Sequence, residues 1–264
     1  MKKLFGFLLI VVVLLGGAAY WLMGNIDKIV HEQIEVQGTK ALGVPVAVDD
    51  VVIRLMDGLG EIRGFSIANP KGFSDAPLMS FASVRLDIDT EKLSTTPLVI
   101  EEVSIDSASA LYELNAQAQG NVNVLLDQLK RNMPASSGGK TENTDASSTS
   151  EGDIRLVVKR VVIKDTQLKL DLTGIGQKAY DETLPTFSAS NIGGSEGLPP
   201  AELGAKIAEA MLDNLVDAAA AKQKERLKQK AIDKAKEKVQ EELGDKLKDN
   251  DKVKGLMEKF GHNF

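Results

Sequence analysis

The chain has 264 residues, a net charge of −6 at pH 7 and no cysteine. Neither a disulfide nor a lipid-modified thiol is therefore open to it, and with only two histidines a zinc site is a poor fit. The charge is uneven: residues 222–264 hold thirteen basic and nine acidic side chains, so the remainder is near −10, which argues against nucleic acid for the body of the protein and leaves open a contact between the basic tail and an acidic surface.

The chain opens on Lys2-Lys3 followed by Leu4 to Met23, 20 residues without a charge. At 1.5 Å per residue this run spans about 30 Å, the thickness of a bilayer core. Leu4, Phe7, Leu9, Val12 and Leu15 supply its apolar surface, and Tyr20 and Trp21 stand at its far end, where amphipathic rings favour the interface. The two lysines place the N-terminus on the cytoplasmic side and everything after Asn25 across the membrane. The rival reading is a cleaved signal peptide, for which Gly17-Ala18-Ala19 is an acceptable site. The run is long for that, so a retained single-pass anchor (residues 1–24) is the expectation.

Residues 25–42 have helical spacing in Ile26, Ile29, Val30 and Ile34, and read as a short stalk ending at residue 43. Strands are expected at 44–56, 61–69 and 78–90, then at 97–106 and 109–115. Val84, Leu86 and Ile88 alternate with Arg85, Asp87 and Asp89, so one face of that strand is buried and one is wet. A turn at Gly120 leads to a short helix over 122–130. Residues 134–152 are rich in Ser, Thr and Gly and read as a linker. Strands resume at 154–164, 167–173 and 182–192, with Leu168, Leu170 and Leu172 alternating again.

One pattern occurs three times along this course: Val46–Ile53, Leu98–Ile105 and Leu156–Ile163. Each copy is apolar-x-apolar, two like charges, then Val-x-apolar. The charged pair shifts the alternation by one residue, which a β-bulge absorbs while the apolar face continues. Each copy precedes a turn signal (Asp57-Gly58, Ser107-Ala108-Ser109, Lys164-Asp165-Thr166) and a second strand-like run. The expectation is a bent hairpin repeated every fifty to sixty residues, building a sheet of about eight strands and roughly 40 Å by addition.

After Pro199-Pro200 the composition changes to Ala, Lys, Glu and Gln. Residues 201–248 read as one long helix, or two joined near Gly244. Leu203, Ile207, Met211 and Leu215 form one apolar stripe. Leu227, Ala231, Ala235, Val239, Leu243 and Leu247 continue one at four-residue spacing, drifting about 40° per step. Such a stripe suits a helix lying on a sheet, a coiled-coil partner or a membrane surface.

Catalytic signals are weak. Gly193-Gly-Ser195-Glu-Gly197 fits the G-x-S-x-G pattern, but Pro199-Pro200 separate Ser195 from the helix, and the only downstream histidine is His262. Asp49-Asp50 and Glu101-Glu102 are better read as solvated bulge charges than as calcium ligands, because adjacent strand residues face opposite ways. Gly58-Leu-Gly60 lacks the third glycine of a dinucleotide loop. No enzyme, cofactor or metal is expected.

The order of several motifs resembles the AsmA-like proteins of Gram-negative envelopes. The membrane helix is followed by Gly60 to Phe73, whose Asn69-Pro70-Lys-Gly72-Phe73 is similar to that family's turn. Val84–Asp89, Glu91-Lys-Leu93, Leu98–Ile105, Glu113-Leu-Asn115 and Gly120-Asn121-Val-Asn123 follow in the family's order. The resemblance covers residues 1 to about 195; the long helical tail lies outside it. It implies an inner-membrane protein with a cytoplasmic N-terminus, and a curved, mainly antiparallel periplasmic sheet with helices, whose apolar groove moves or binds phospholipid in larger members. The domains would then be the anchor 1–24, the stalk 25–43, the β-groove domain 44–198 and the tail 199–264. Val46, Val48, Ile53, Val84, Leu86, Ile88, Ile100, Val103, Leu156, Val158, Leu168 and Leu170 would line the groove. Two functions stay open. One is binding of acyl chains in that groove. The other is an envelope adaptor, engaging other envelope proteins through its C-terminal helix, whose sheet face that same helix covers.

Overall fold

A computed structural model describes residues 25–93, 95–133 and 154–260 of the chain, with side chains as far as residue 240. The proposed anchor, the linker over 134–152 and His262 lie outside the described residues, and among those described no helix is long and apolar enough to cross a membrane. The fold is mixed α/β: a curved, mostly antiparallel nine-stranded sheet with helices packed on it. Helix α1 covers residues 25–42. Strands β1 (Val46–Ala47), β2 (Asp50–Arg54), β3 (Leu59–Ile67), β4 (Met79–Ile88) and β5 (Leu98–Glu113) follow. Helix α2 (Asn121–Asn132) precedes β6 (Leu156–Ile163), β7 (Gln167–Asp171), β8 (Ala179–Thr183) and β9 (Phe187–Ile192), and α3 runs from Pro200 to Phe260. The chain divides into two compact units, Met1–Val216 and Asp217–Phe264.

The sheet is six strands wide, not eight, because β1 and β2 share β3 as partner and both β6 and β7 run along β5. At the same spacing per strand its width is therefore about 29 Å, not 40 Å. Only the first repeat makes a hairpin, closed by Gly58 in the left-handed conformation (φ 69°). The expected turn at Ser107–Ser109 is absent: β5 passes straight through as one 16-residue strand. At Lys164–Thr166 the chain also goes straight on, so β6 and β7 both lie parallel to β5. The run expected as one strand at 182–192 is two, β8 and β9.

The second and third repeats lie side by side, parallel and in register, Leu98 opposite Leu156 and Ile105 opposite Ile163. Their like-charge pairs have opposite sign and meet. Lys159 Nζ donates to Glu101 at 2.5 Å and Arg160 Nε to Glu102 at 2.8 Å. A one-residue slip would break both pairs and carry every apolar side chain to the other face. Exposed pairs of this kind contribute only about 0.2–1 kcal/mol each, so they select register more than they add stability.

The alternation shifts at two places along the sheet, by two devices. Opposite Glu101-Glu102 the β4–β5 register slips between Asp87 and Ile88, the expected bulge. Beyond the repeats, nearer the other end of the sheet, the register holds, and left-handed residues make the shift instead: Gly64 (φ 62°), Ser107 (φ 55°) and Asp165 (φ 51°) stand level across the strands. The apolar face continues across this line, because Ile163 and Thr166, on either side of Asp165, line the same small cavity. Turn-like residues here mark a crease in the sheet, which is why the sequence suggests turns.

Gly64 is the position where this crease tolerates least change. A Cβ there would lie 1.9 Å from Asp49 Oδ2, and its φ disfavours any L side chain. Gly64→Ala should cost about 2–3 kcal/mol in urea denaturation. Adding Asp49→Ala should restore most of the steric part, although Asp49 Cβ would still lie 2.8 Å from the new methyl, and should leave the conformational part.

The helices cover the apolar face. α2 buries Val122, Leu125, Leu126 and Leu129. α1 packs along the β1–β2 edge, where Asp27, Glu35 and Thr39, on one stripe of the helix, accept the outward amide hydrogens of Ile53, Val48 and Val46. This edge is thereby blocked against pairing with another chain. α3 is a single helix through Gly244.

Candidate functional site

The candidate groove is the apolar face of this sheet. Residues directly opposite one another share a face, so the pairing places Ile62, Val84, Ile105, Ile163 and Phe187 in one row across five strands. Leu86, Val103 and Val161 form the next row, and Ile88, Ile100 and Val158 the one beyond. The residues proposed from sequence are thus brought onto one surface. Val46, Val48, Val84, Ile88, Ile100, Val103, Val158, Leu168 and Leu170 are buried, while Ile53, Leu86 and Leu156 are half-buried.

That surface is occupied. Leu203, Ala205, Met211, Leu212 and Leu215 of α3 are buried within the first unit. Met211 and Leu215 face Met79, Phe81, Ala108, Ile163 and Phe187 across a cavity of about 20 Å³. That is room for one water and not for an acyl chain. α2 lies beside this part of α3, with Lys130 Nζ 3.7 Å from Asp213. Val46 meets α1 where its methyl carbons approach Gly38, a Cβ on which would lie 3.2 Å from them. The sequence stripe Leu203, Ile207, Met211, Leu215 is the packed one, although Ile207 is only half-buried and Leu212, outside the stripe, is 1% exposed. In the second unit Leu227, Ile232 and Val239 are exposed.

A polar cluster closes the sheet end away from α1's first turn. Asn121, the only buried polar side chain among the described residues, begins α2. Its Oδ1 accepts from the backbone N–H of Glu113 (2.9 Å) and Val122 (2.8 Å). Its Nδ2 donates to Leu111 O (2.8 Å) and Asn69 Oδ1 (2.9 Å). Asn69 Nδ2 in turn donates to Glu113 Oε2 at 3.2 Å, and Ser74 Oγ donates to the same oxygen at 2.6 Å. Gly120 is held close: a Cβ would lie 2.6 Å from the Tyr112 hydroxyl, which donates to Asn123 Oδ1. Burial raises the Tyr112 pKa above its ordinary value.

The motifs Asn69-Pro70, Glu113-Leu-Asn115 and Gly120-Asn121, separate in sequence, therefore meet in one network. The buried groups of Asn121 are all answered within it, so it locks the β3–β4 loop to the start of α2. The spacing of these motifs carries no sign that they meet, so sequence reasoning named them without finding the cluster.

Ser195 lies exposed in the turn before α3, between Gly194 and Gly197, both at positive φ. Ser195→Ala should leave stability and function within error of wild type, because among the described residues no base is hydrogen-bonded to the hydroxyl to activate it. Loss of function with the fold intact, read by complementation and melting together, would revive a hydrolase. The charged pairs of the repeats are engaged by cations of the chain itself: Asp50 with Arg63 at 3.4 Å, Glu101 with Lys159.

Compared with known proteins, the chain matches no protein-family model, and the search of curated proteins finds no match.

Proposed function

We propose that this chain is a membrane-anchored envelope protein similar to the AsmA-like family, acting without catalysis as an adaptor and not as a lipid conduit. The observation that carries this reading is the filled face: Met211 and Leu215 of the same chain lie on the apolar surface an acyl chain would need. The 20-residue uncharged run from Leu4 to Met23 supports the inner-membrane anchor, with the rest of the chain on the periplasmic side. A sheet about 29 Å wide supports a local role over a bridge between membranes.

The partner-binding part in this reading is the second unit of the chain. It exposes Leu227, Ile232 and Val239 on a helix whose surroundings are rich in lysine. Apolar side chains recurring along an exposed helix suit a partner's groove or a partner helix. Photo-crosslinkers at 227, 232 and 239 in living cells test this. The adaptor reading expects protein adducts of discrete mass at these positions, absent from the polar position 229. Adducts with phospholipid alone would contradict it.

A further inference from the structure

The exposed apolar side chains of the first unit are not scattered. Among its described residues the large ones are Val36, Met56, Leu59 and Ile154. Three of these share one end of the sheet. Met56 stands in the turn that ends β2, Leu59 begins β3, and Ile154 lies just before β6. The pairing of Ile88 with Ile100 and of Leu98 with Leu156 places the starts of β5 and β6 at this same end. Their exposures are 74% for Met56, 50% for Leu59 and 58% for Ile154.

This end is also where α1 begins. Asp27 Oδ1 accepts the backbone N–H of Ile53 at 2.7 Å, three residues before Met56. The uncharged run ends at Met23, four residues before Asp27. A chain of that length reaches at most about 14 Å. If the run spans a bilayer, the hairpin tip is tied to within a short distance of its surface.

We propose that the sheet end bearing Met56, Leu59 and Ile154 sits in the membrane interface, with these side chains inserted at the boundary between headgroups and acyl chains. The inference rests on the reading of residues 4–23 as an anchor and goes beyond it, since an anchored protein can equally stand clear of the membrane. Insertion at this boundary reaches about 5–10 Å below the headgroups. The charges around the tip are of both signs: Arg54 and Asp57 flank Met56, Lys92 pairs with Asp89 at 2.8 Å, and Glu91, Arg155 and Glu196 stand nearby. The partner is therefore the apolar layer itself and not an anionic headgroup, and binding is the same on neutral and anionic lipid.

The absence of cysteine makes the test direct. Single variants Leu9→Cys, Met56→Cys, Gln117→Cys and Ile154→Cys of the full chain are labelled with an environment-sensitive dye. Each is reconstituted into phosphatidylcholine vesicles, with and without phosphatidylglycerol, and quenched by lipids brominated near the top of their chains. Position 117 lies in the turn beyond the far end of β5 and serves as the aqueous reference. The proposal expects blue-shifted, strongly quenched emission at 56 and 154, a water-like signal at 117, and no dependence on phosphatidylglycerol. Quenching at 9 with water-like signals at 56 and 154 would overturn it while leaving the anchor intact. No quenching at 9 would overturn the anchor and the inference with it. Quenching at 56 only with phosphatidylglycerol would overturn the apolar mechanism.

Discussion

Leu212→Asp unfolds the sheet domain. The side chain is 1% exposed and stands in α3 next to Met211, which lies against the sheet. A carboxylate there has no partner, and burying an unpaired charge costs several kcal/mol, a large part of a domain's whole stability. The variant should show no cooperative urea transition. Leu227→Asp, on the exposed stretch of the same helix, should shift the midpoint by no more than about 0.5 kcal/mol. Leu86→Asp, at a half-buried position, should fall between them. If the face were an open groove with α3 detached, Leu212→Asp would be as mild as Leu227→Asp.

Asn121→Ala removes four hydrogen bonds at once. It leaves the amides of Glu113 and Val122, the carbonyl of Leu111 and the Asn69 side chain without this partner in a buried site. Each stranded group costs about 1–3 kcal/mol, so a loss of at least 3 kcal/mol is expected even after relaxation. Asn121→Asp should fail as well, because a carboxylate accepts from both amides but cannot donate to Leu111 O. Glu113→Gln keeps an acceptor toward Ser74 and should cost less than either. Thermal melts of the three variants give this order, and an Asn121→Asp variant as stable as wild type would refute the account of the cluster.

Much of the strand pattern was legible because one face is buried and alternation reports that directly. Val84, Leu86 and Ile88 define β4 without ambiguity. The three-fold pattern also foretold a real relation, since its second and third copies pair in register. It misled about turns, because Ser107 and Asp165 take left-handed conformations within strands that continue, and residue type alone does not separate a crease from a reversal. Parallel pairing of β6 and β7 with β5 was likewise hidden: nothing local in Leu156–Asp171 tells which neighbour supplies its hydrogen bonds.

The residues proposed for the groove share one apolar face, and burial of that face by the C-terminal helix was one of two arrangements the sequence left open. An apolar strand face reads the same whether it meets lipid or helix. The stripe from Leu203 to Leu215 gave the hint, and Leu212 escaped it because the four-residue spacing skips a neighbour on the same broad face. The asparagine cluster was invisible as a site because Asn69 and Ser74, in the β3–β4 loop, are distant in the chain from Glu113 at the end of β5 and Asn121 at the start of α2.

The most direct test of the covered face is a photo-crosslinking phenylalanine analogue at Phe81, in living cells. Phe81 faces Met211 and Leu215 across the small cavity. A filled face predicts an internal crosslink from position 81 to the peptide containing Met211 and Leu215. Crosslinks from position 81 to phospholipid would contradict it and return the sheet to the role of a lipid groove.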